Sequence, residues 1–322
     1  MRAFLVALVC LSHFLLFFVT GEDQCDASNA ASGTWRVQPT SRTMENGITK
    51  FCPNTFLEID NNYQGSYICT GRPGAYHQAT FNQDSCNVMD TKDSFKILKK
   101  HTIYFVGDSM MMQRWFAMKC IMEGRANEAN VQIETKFLYS RFLDRDVACK
   151  HEPTSAGDDC KDDWLSTFNK ETQHKSNPDV SLVVGAGGWF DGMSKIADHK
   201  VYKDVVEKYS EALGAFVKKG IPVIWMDLPP MIHDSSDKYW HQHSLFAAKN
   251  AIAKENMSKQ GVMYLDTQKG IKSRRTQDPT VFADRAIHAC NPGKNSIPIF
   301  LAKRILHLLA VEKEQAKKKQ KL

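Results

Sequence analysis

The sequence predicts an α/β protein built around a parallel sheet. From residue 102 onward, short apolar runs alternate with amphipathic segments, which is the pattern of βα units. The apolar runs are short and rich in β-branched residues, as buried parallel strands are. The length of 322 residues suits one large domain with an N-terminal elaboration. The predicted strands are residues 102–106, 180–184, 221–226 and 262–265, with a further candidate at 131–138.

Two helices are predicted from apolar periodicity and end signals. Apolar residues between Tyr202 and Val217 recur at offsets of three and four, and Gly220 follows two lysines at the end of this segment. Residues 299–310 are predicted to form a final helix that packs against the sheet.

The chain opens with an apolar run at residues 3–19 that follows a lone Arg2. Small residues at Val19 and Gly21 suit cleavage before Glu22, so residues 1–21 are interpreted as a signal peptide. An uncleaved signal anchor is the alternative, because about 17 apolar residues can span a bilayer. Both interpretations place the protein outside the cell or in the Golgi or ER lumen.

Nine cysteines are present, and loss of Cys10 with the leader leaves an even number in an oxidising compartment. This predicts disulfides, whose connectivity the spacing does not reveal, although Cys149 and Cys160 are close enough to close one loop. The absence of a CxxC pair disfavours a zinc site. The candidates for disulfide bonding are Cys25, Cys52, Cys69, Cys86, Cys120, Cys149, Cys160 and Cys290.

The composition divides the remaining chain into three regions. Residues 22–98 carry four cysteines and many turn residues, and they are predicted to form a disulfide-braced, loop-rich N-terminal lobe. Residues 99–310 form the α/β domain. Residues 311–322 form a basic tail with five lysines against two glutamates, interpreted as a solvated helix end. Because the basic charge sits at a chain end, nucleic acid is not an expected partner.

A candidate nucleophile follows the first predicted strand of the α/β domain. The strand ends in Gly107-Asp108-Ser109, and a helix is predicted to begin at once. Ligands of α/β proteins bind at the carboxyl ends of strands, where the N–H groups of the next helix can stabilise an oxyanion. Gly107 allows the turn and Asp108 can accept hydrogen bonds within it. The alternative is that Ser109 only caps the helix.

A serine nucleophile needs a base, and His288 is the candidate. It lies just before the final predicted helix, and Asp284 stands four residues upstream, one turn away in a helix. Asp284 can then orient the imidazole. The alternative is a purely structural histidine.

Glycines and aromatic residues follow the strand at 180–184. Gly187 would let a substrate approach the main chain, and Trp189 could stack on a sugar face, or else pack in the core. Separately, Asn256-Met257-Ser258 is an N-glycosylation sequon.

Together, these elements resemble the PC-esterase branch of the SGNH/GDSL hydrolase superfamily, which includes the plant trichome-birefringence-like polysaccharide O-acetyltransferases. The similar segments are residues 104–115 with the Gly-Asp-Ser turn and Trp115, residues 184–190, and the His-x-Cys-x-Pro-Gly run at 287–293. The resemblance implies a flavodoxin-like three-layer α/β/α fold and acyl transfer through an acyl-Ser109, without metal or cofactor. It also implies a disulfide between a cysteine near the N-terminus and Cys290. The expected oxyanion and substrate-binding residues are Gly107, Asp108, Gln113, Arg114, Gly187 and Trp189.

The chain departs from the family pattern at two positions. Arg285 stands three residues before His288, where the family usually has its acid. Gly185 stands where family members commonly have an asparagine that donates to the oxyanion, and the loss of one such donor can cost ~10²-fold in rate.

Two functional hypotheses follow. In the first, the protein is a lumenal carbohydrate-ester enzyme, an esterase if water accepts the acyl group and an O-acyltransferase if a sugar hydroxyl does. In the second, it is a catalytically silent module that binds glycan or protein. The expected partner of the enzyme is a carbohydrate or other ester, and contact with a membrane is expected only through an uncleaved N-terminal segment.

Overall fold

A computed structural model describes residues 24–38, 52, 54–55, 78–84, 86–124, 133–151, 163–173, 179–190, 199–230, 242–277, 289 and 296–320. The strands are β1 (Gly33–Gln38), β2 (Gln78–Gln83), β3 (Thr102–Gly107), β4 (Glu134–Tyr139), β5 (Val180–Gly185), β6 (Val223–Met226) and β7 (Met263–Leu265). The helices are α1 (Thr91–Ile97), α2 (Ser109–Glu123), α3 (Arg145–His151), α4 (Trp164–Thr172), α5 (His199–Lys218), α6 (Gln242–Lys259), α7 (Gln268–Gln277) and α8 (Ile297–Gln320).

The five predicted strands form one parallel sheet, in the order β4-β3-β5-β6-β7. Numbered from the first strand of this sheet, the order is 2-1-3-4-5, which is that of flavodoxin-like folds. Strand β3 therefore lies between β4 and β5, and its last residue, Gly107, pairs with both Tyr139 and Gly185. The carboxyl end of β3 is thus the place where the strand order changes direction, and ligands bind at such points.

The sheet is covered on both faces, as a three-layer α/β/α fold requires. Alternate residues of β3 point to opposite sides, so that Ile103 and Phe105 join one core while Tyr104 and Val106 join the other. The first core is completed by apolar residues of α1, α2 and α8, and the second by those of α4, α5 and α6. Every residue of β3 is buried, which explains why the strand is apolar from Ile103 to Val106. The predicted fold class is confirmed.

The helix ends show where local signals were sufficient. Helix α5 ends as predicted, because Gly220 adopts a φ of 80°, which favours glycine. Helix α8 continues through residues 311–320 to Gln320, so most of the basic tail is the end of this helix. The continuation is supported by Lys313, whose side chain is only 7% exposed and pairs with Asp179 at 2.8 Å. No helix within the described ranges combines the length and the apolar character needed to cross a membrane.

Strands β1 and β2 form a separate antiparallel pair that packs on α7 and α8. The backbone N–H of Trp35 donates to Ser273 Oγ at 3.0 Å, which ties β1 to α7. The rings of Trp35, Phe81 and Phe300 contact one another with centroid distances of 4.5 to 5.2 Å. This aromatic cluster joins the β1–β2 pair to the start of α8.

Disulfides tie the N-terminal region together and to the α/β core. Cys25 bonds to Cys86, and Cys52 bonds to Cys120 of α2. Cys149 is also disulfide-bonded, to a partner outside the described residues. The disulfide implied between an N-terminal cysteine and Cys290 is therefore wrong for Cys25 and Cys52. Cys52 bonds to Cys120 because α2 passes close to residue 52, with a Cα–Cα distance of 5.0 Å. The sequence did not reveal this proximity.

A buried histidine joins α8 to the N-terminal segments. The N–H of Met89 donates to His307 Nδ1 at 3.0 Å, and His307 Nε2 lies 2.8 Å from the carbonyl oxygen of Cys25. Because a carbonyl only accepts, Nε2 carries the proton and the ring is neutral. Burial lowers the pKa of His307, and the charge of Arg304 adds to this, against an opposing effect of the Cys25 carbonyl.

We expect removal of the Cys52–Cys120 disulfide to lower the free energy of unfolding by about 4 kcal/mol, because it closes a loop whose ends are 68 residues apart in sequence. The measurement is guanidinium denaturation of the Cys52→Ser/Cys120→Ser variant beside the wild type, both without reductant. A loss below ~1 kcal/mol would contradict this entropic account.

We expect His307 to make the fold less stable at acidic pH. Its folded pKa lies below the unfolded value of 6.5, so below that pH the unfolded chain takes up a proton that the folded chain does not. Urea unfolding of wild type and His307→Gln from pH 7.5 to 5 tests this. The advantage of the wild type should shrink as pH falls, by at most about 1.4 kcal/mol per pH unit. Parallel stability curves for the two proteins would refute the assignment.

Candidate active site at the carboxyl edge of the sheet

The turn between β3 and α2 presents Ser109 at the first position of the helix. Asp108 is the N-cap residue, and its side chain accepts a hydrogen bond from the N–H of Met110 at 2.9 Å. The interpretation of Ser109 as the cap is therefore wrong. Gly107 and Asp108 are buried, whereas Ser109 is partly exposed. Ser109 is thus the first residue of α2. The free N–H groups of the first turn of a helix favour negative charge.

Gly107 is required by the close approach of two backbones. Its φ of 148° is one that side-chain-bearing residues rarely adopt, and a Cβ there would collide with the carbonyl oxygen of Gly185. The prediction that Gly107 permits the turn holds, with a further reason that the sequence did not reveal, namely the contact with β5.

The structure also explains the glycine at position 185. A Cβ on Gly185 would lie 2.7 Å from Met111 Sδ and 3.2 Å from Met226 Cβ. Met111 is fully buried, so its thioether occupies the space next to β5 that an asparagine side chain would need. The methionine on α2 therefore fills the place beside the glycine on β5.

Helix α6 holds the two loops that follow β5 and β6. The buried Lys249 donates from Nζ to the carbonyl oxygen of Gly187 at 2.9 Å, with its ammonium 5.4 Å from the Tyr202 ring centroid. The next residue, Asn250, binds the N–H and the carbonyl of Leu228 at 2.8 and 2.9 Å. Consecutive residues of one helix therefore hold the backbone after β5 and after β6, two neighbouring strands on one side of β3.

The predicted substrate contacts Gln113 and Arg114 are both buried on α2. Gln113 Nε2 donates to the carbonyl oxygen of Ala289 at 2.8 Å. Both side chains line a cavity of about 20 Å³ with Ala289, far smaller than the ~300 Å³ of typical ligand sites. Gln113 thus connects α2 to the residue that follows His288 in the sequence. Contact of Gln113 and Arg114 with a substrate stays a prediction.

A buried carboxylate, that of Asp227, directly follows β6 at the same edge of the sheet. Asp227 accepts hydrogen bonds from Thr267 and from Gln268 Nε2, the latter at 2.8 Å. Burial nevertheless raises its pKa to about 6. Burial also lowers the pKa of Arg114, although Asp227 and Asp108 oppose that effect. The Arg114 guanidinium therefore interacts electrostatically with two carboxylates, Asp108 after β3 and Asp227 after β6.

Trp189 is neither fully buried nor fully exposed. It therefore fits neither a pure core residue nor a freely exposed surface for stacking on a sugar. It is partly exposed, and the guanidinium of Arg141 lies 4.6 Å from the centroid of its ring. Arg141 Nε also donates to Tyr139 Oη at 2.9 Å. Gly187, in contrast, is buried, with a φ of 143°, and a Cβ there would come within 2.8 Å of Leu228 Cδ1.

Several predicted residues lie outside the part of the chain that the structure describes: His288, Asp284, Arg285 and Cys290. The pairing of His288 with Ser109 therefore stays a prediction, as does glycosylation of Asn256. That asparagine is on α6, partly buried, with its amide bonded to Ile252 O at 2.9 Å. Among the described residues, no three His, Cys, Asp or Glu side chains are grouped as a metal site requires.

Four residues at this edge were not predicted from the sequence: Tyr139, Arg141, Asp227 and Lys249. Tyr139 ends β4, Arg141 lies two residues beyond it and Asp227 directly follows β6, so their position at strand ends was an available signal. Lys249 gave no such signal, because a lysine in the middle of an amphipathic helix is ordinarily solvated.

No protein-family model matches the chain, and no curated protein matches it. Solved structures similar to it include an alpha/beta hydrolase enzyme from the metagenome of Lake Arreo, at 14% identity over 65% of this chain and 94% of the other, with a TM-score of 0.43. An acetylxylan esterase from Geobacillus stearothermophilus is 14% identical over 66% and 96%, with a TM-score of 0.43. Another acetyl xylan esterase is 15% identical over 67% and 98%, with a TM-score of 0.42. Likenesses this distant carry no argument here, and the fold rests on the strand order.

We expect Gly185→Asn to lower the free energy of unfolding by about 1–3 kcal/mol, because Met111 occupies the space of the new side chain. The second substitution Met111→Ala should recover part of that loss when the two are combined, which a double-mutant cycle in urea would measure. Gly220→Asn is the matched control, since no atom lies within 4 Å of its Cβ position and asparagine tolerates positive φ. If the effects of Gly185→Asn and Met111→Ala on the free energy of unfolding were additive, Met111 would not limit the space beside Gly185.

Proposed function

We propose that this protein is a serine acyl-transfer enzyme of the secretory pathway, of the PC-esterase type, that acts on carbohydrate esters. The observation that carries the proposal is the position of Ser109. It is partly exposed, it stands at the carboxyl end of the central strand β3, and Asp108 rather than Ser109 caps the helix. The two disulfides, Cys25–Cys86 and Cys52–Cys120, support a lumenal or secreted location.

In the proposed reaction, Ser109 Oγ attacks the acyl carbonyl while His288 takes the hydroxyl proton, and Asp284 orients His288. Collapse of the tetrahedral intermediate breaks the ester bond, and His288 returns the proton to the leaving sugar oxygen. Water or a second sugar hydroxyl then attacks the acyl-Ser109, with His288 again as base. Support for bringing His288 to the site is the hydrogen bond from Gln113 to Ala289, the residue next to it.

The oxyanion needs donors that do not depend on an asparagine at position 185. The N–H groups at the start of α2 supply part of the field. A second donor in this proposal is the N–H of Gly188. In a trans peptide the C=O and N–H point in opposite directions, so the hold of Lys249 on the Gly187 carbonyl turns the Gly188 N–H away from α6. Gly188 lies near the turn, since a Cβ on it would be 3.5 Å from Asp108 Oδ2.

A catalytically silent binding module is the second candidate function. The packing of Met111 against Gly185 favours it, because it removes a donor site that active family members would use. The two candidates differ in one measurable property, namely whether Ser109 turns over esters.

We expect the wild type to hydrolyse p-nitrophenyl acetate and acetylated xylan, and Ser109→Ala and His288→Ala each to lower kcat by at least ~10³-fold, because each removes a member of the acyl-transfer pair. Asp284→Asn should lower it less. Release of p-nitrophenol and of acetate measures the rates.

The controls are Ser210→Ala, whose hydroxyl donates to the carbonyl oxygen of Glu207 within α5 at 2.8 Å, and His199→Ala at the start of α5. Both should retain the wild-type rate. A wild type that is silent on these donors and is not labelled by a serine-directed phosphonate would shift the assignment to the binding module.

A further inference from the structure

A small cavity lies against α2 and has no role in the reaction steps proposed above. Its volume is about 20 Å³, and its polar side chains are Gln113 and Arg114. A cavity needs roughly 10–15 Å³ to hold one water molecule, so this cavity has room for a single particle of about that size. The rest of its lining is apolar and consists of Met110, Pro229, Ile271, Ala289, Ile297, Pro298 and Leu301.

Arg114 brings a positive charge to this cavity with few strong acceptors around it. The residue is only 6% exposed. Its Nε is buried and has no hydrogen-bond partner in the described part of the chain. Its Nη1 donates to Met111 Sδ at 3.6 Å, and a thioether is a weak acceptor. Because a buried charge is costly unless it is paired and hydrogen-bonded, a ligand that accepts from this guanidinium would relieve part of that cost.

Two carboxylates act on Arg114, and both accept hydrogen bonds from other donors. Asp108 Oδ1 accepts from the N–H of Met110, and Asp227 accepts from residues at the start of α7. Burial lowers the pKa of Arg114, although the charges of Asp227 and Asp108 oppose that effect. The two carboxylates therefore compensate the buried positive charge only in part, which favours a small anion beside it.

The size and the lining of the cavity select among anions. Phosphate, sulfate and carboxylates contain several heavy atoms, whereas the space suits one particle of about the size of a water molecule. Chloride is monatomic and only slightly larger than water. It is also weakly hydrated for an anion, so its transfer to a largely apolar cavity with a guanidinium donor costs less than that of a strongly hydrated ion.

We propose that this cavity is a chloride site, with the Arg114 guanidinium as its principal ligand. The bound ion contacts parts of the chain that are distant in sequence, because the lining comes from α2, α7, α8, the segment after β6 and Ala289. Binding of the ion is independent of the proposed ester chemistry.

The first test is the thermal unfolding of the wild type in sodium chloride and in sodium gluconate at equal ionic strength. Gluconate is too large for the cavity. An ion that binds only the folded state stabilises it, so we expect about 200 mM chloride to raise Tm by roughly 2–4 °C relative to gluconate. Arg114→Gln should abolish this difference, and Arg114→Lys, which keeps the charge but not the fork, should retain part of it.

The matched control is Arg304→Gln on α8. Burial also lowers the pKa of Arg304, to about 10, but this side chain packs on the rings of Phe81 and Phe300 and does not line the cavity. The difference in Tm between chloride and gluconate should therefore stay at the wild-type value in Arg304→Gln.

A direct measurement uses the wild type alone, and so holds even if Arg114→Gln does not fold. Crystals soaked in sodium bromide should show an anomalous scattering peak in the cavity, next to the Arg114 guanidinium.

None of these measurements uses an ester, so their outcomes are distinct from those of the esterase test. Equal Tm values in chloride and gluconate, or a bromide-soaked crystal without a peak in the cavity, would overturn the chloride site in favour of a water molecule. A chloride effect that is the same in wild type and in folded Arg114→Gln, or one that Arg304→Gln removes as completely, would also overturn it. Circular dichroism establishes which variants are folded.

Discussion

The close approach of β3 and β5 at Gly107 and Gly185 is the constraint on which the site depends. At this point the carbonyl oxygen of Gly185 occupies the space of a side chain on Gly107, and Met111 packs into the space beside Gly185. The turn that carries Ser109 is therefore fixed by packing against the neighbouring strand as well as by its own capping bond. The same packing fills the space that an asparagine side chain at position 185 would need.

Elements distant in sequence hold the surroundings of that turn. Helix α6 fixes the loops after β5 and β6 through Lys249 and Asn250, and Gln113 of α2 binds Ala289. Burying the lysine ammonium and the Arg114 guanidinium carries a desolvation cost, which hydrogen bonds, aromatic faces and nearby carboxylates offset in part. The buried charge of Lys249 therefore holds the backbone of the loop after β5. The charge of Arg141, in contrast, lies on a partly exposed side chain at this edge of the sheet.

Prediction from the sequence succeeded where the signal was local. All five strands of the sheet were predicted within three residues at either end, because a buried parallel strand is a short apolar run. Gly220 as a helix end and Gly107 as a turn residue follow from backbone sterics alone. Prediction failed where a contact between residues distant in sequence determines the structure. The bond of Cys52 depends on the path of α2.

The sequence by itself determined the βα succession, the buried sheet and the serine turn, because hydrophobic periodicity and glycine sterics act over a few residues. Only the tertiary structure decided that Arg141 meets Trp189 beside that turn and that Met111 fills the place next to Gly185. Both contacts join segments separated by dozens of residues. Their existence follows from the order in which β4, β3 and β5 lie in the sheet, which no local pattern encodes.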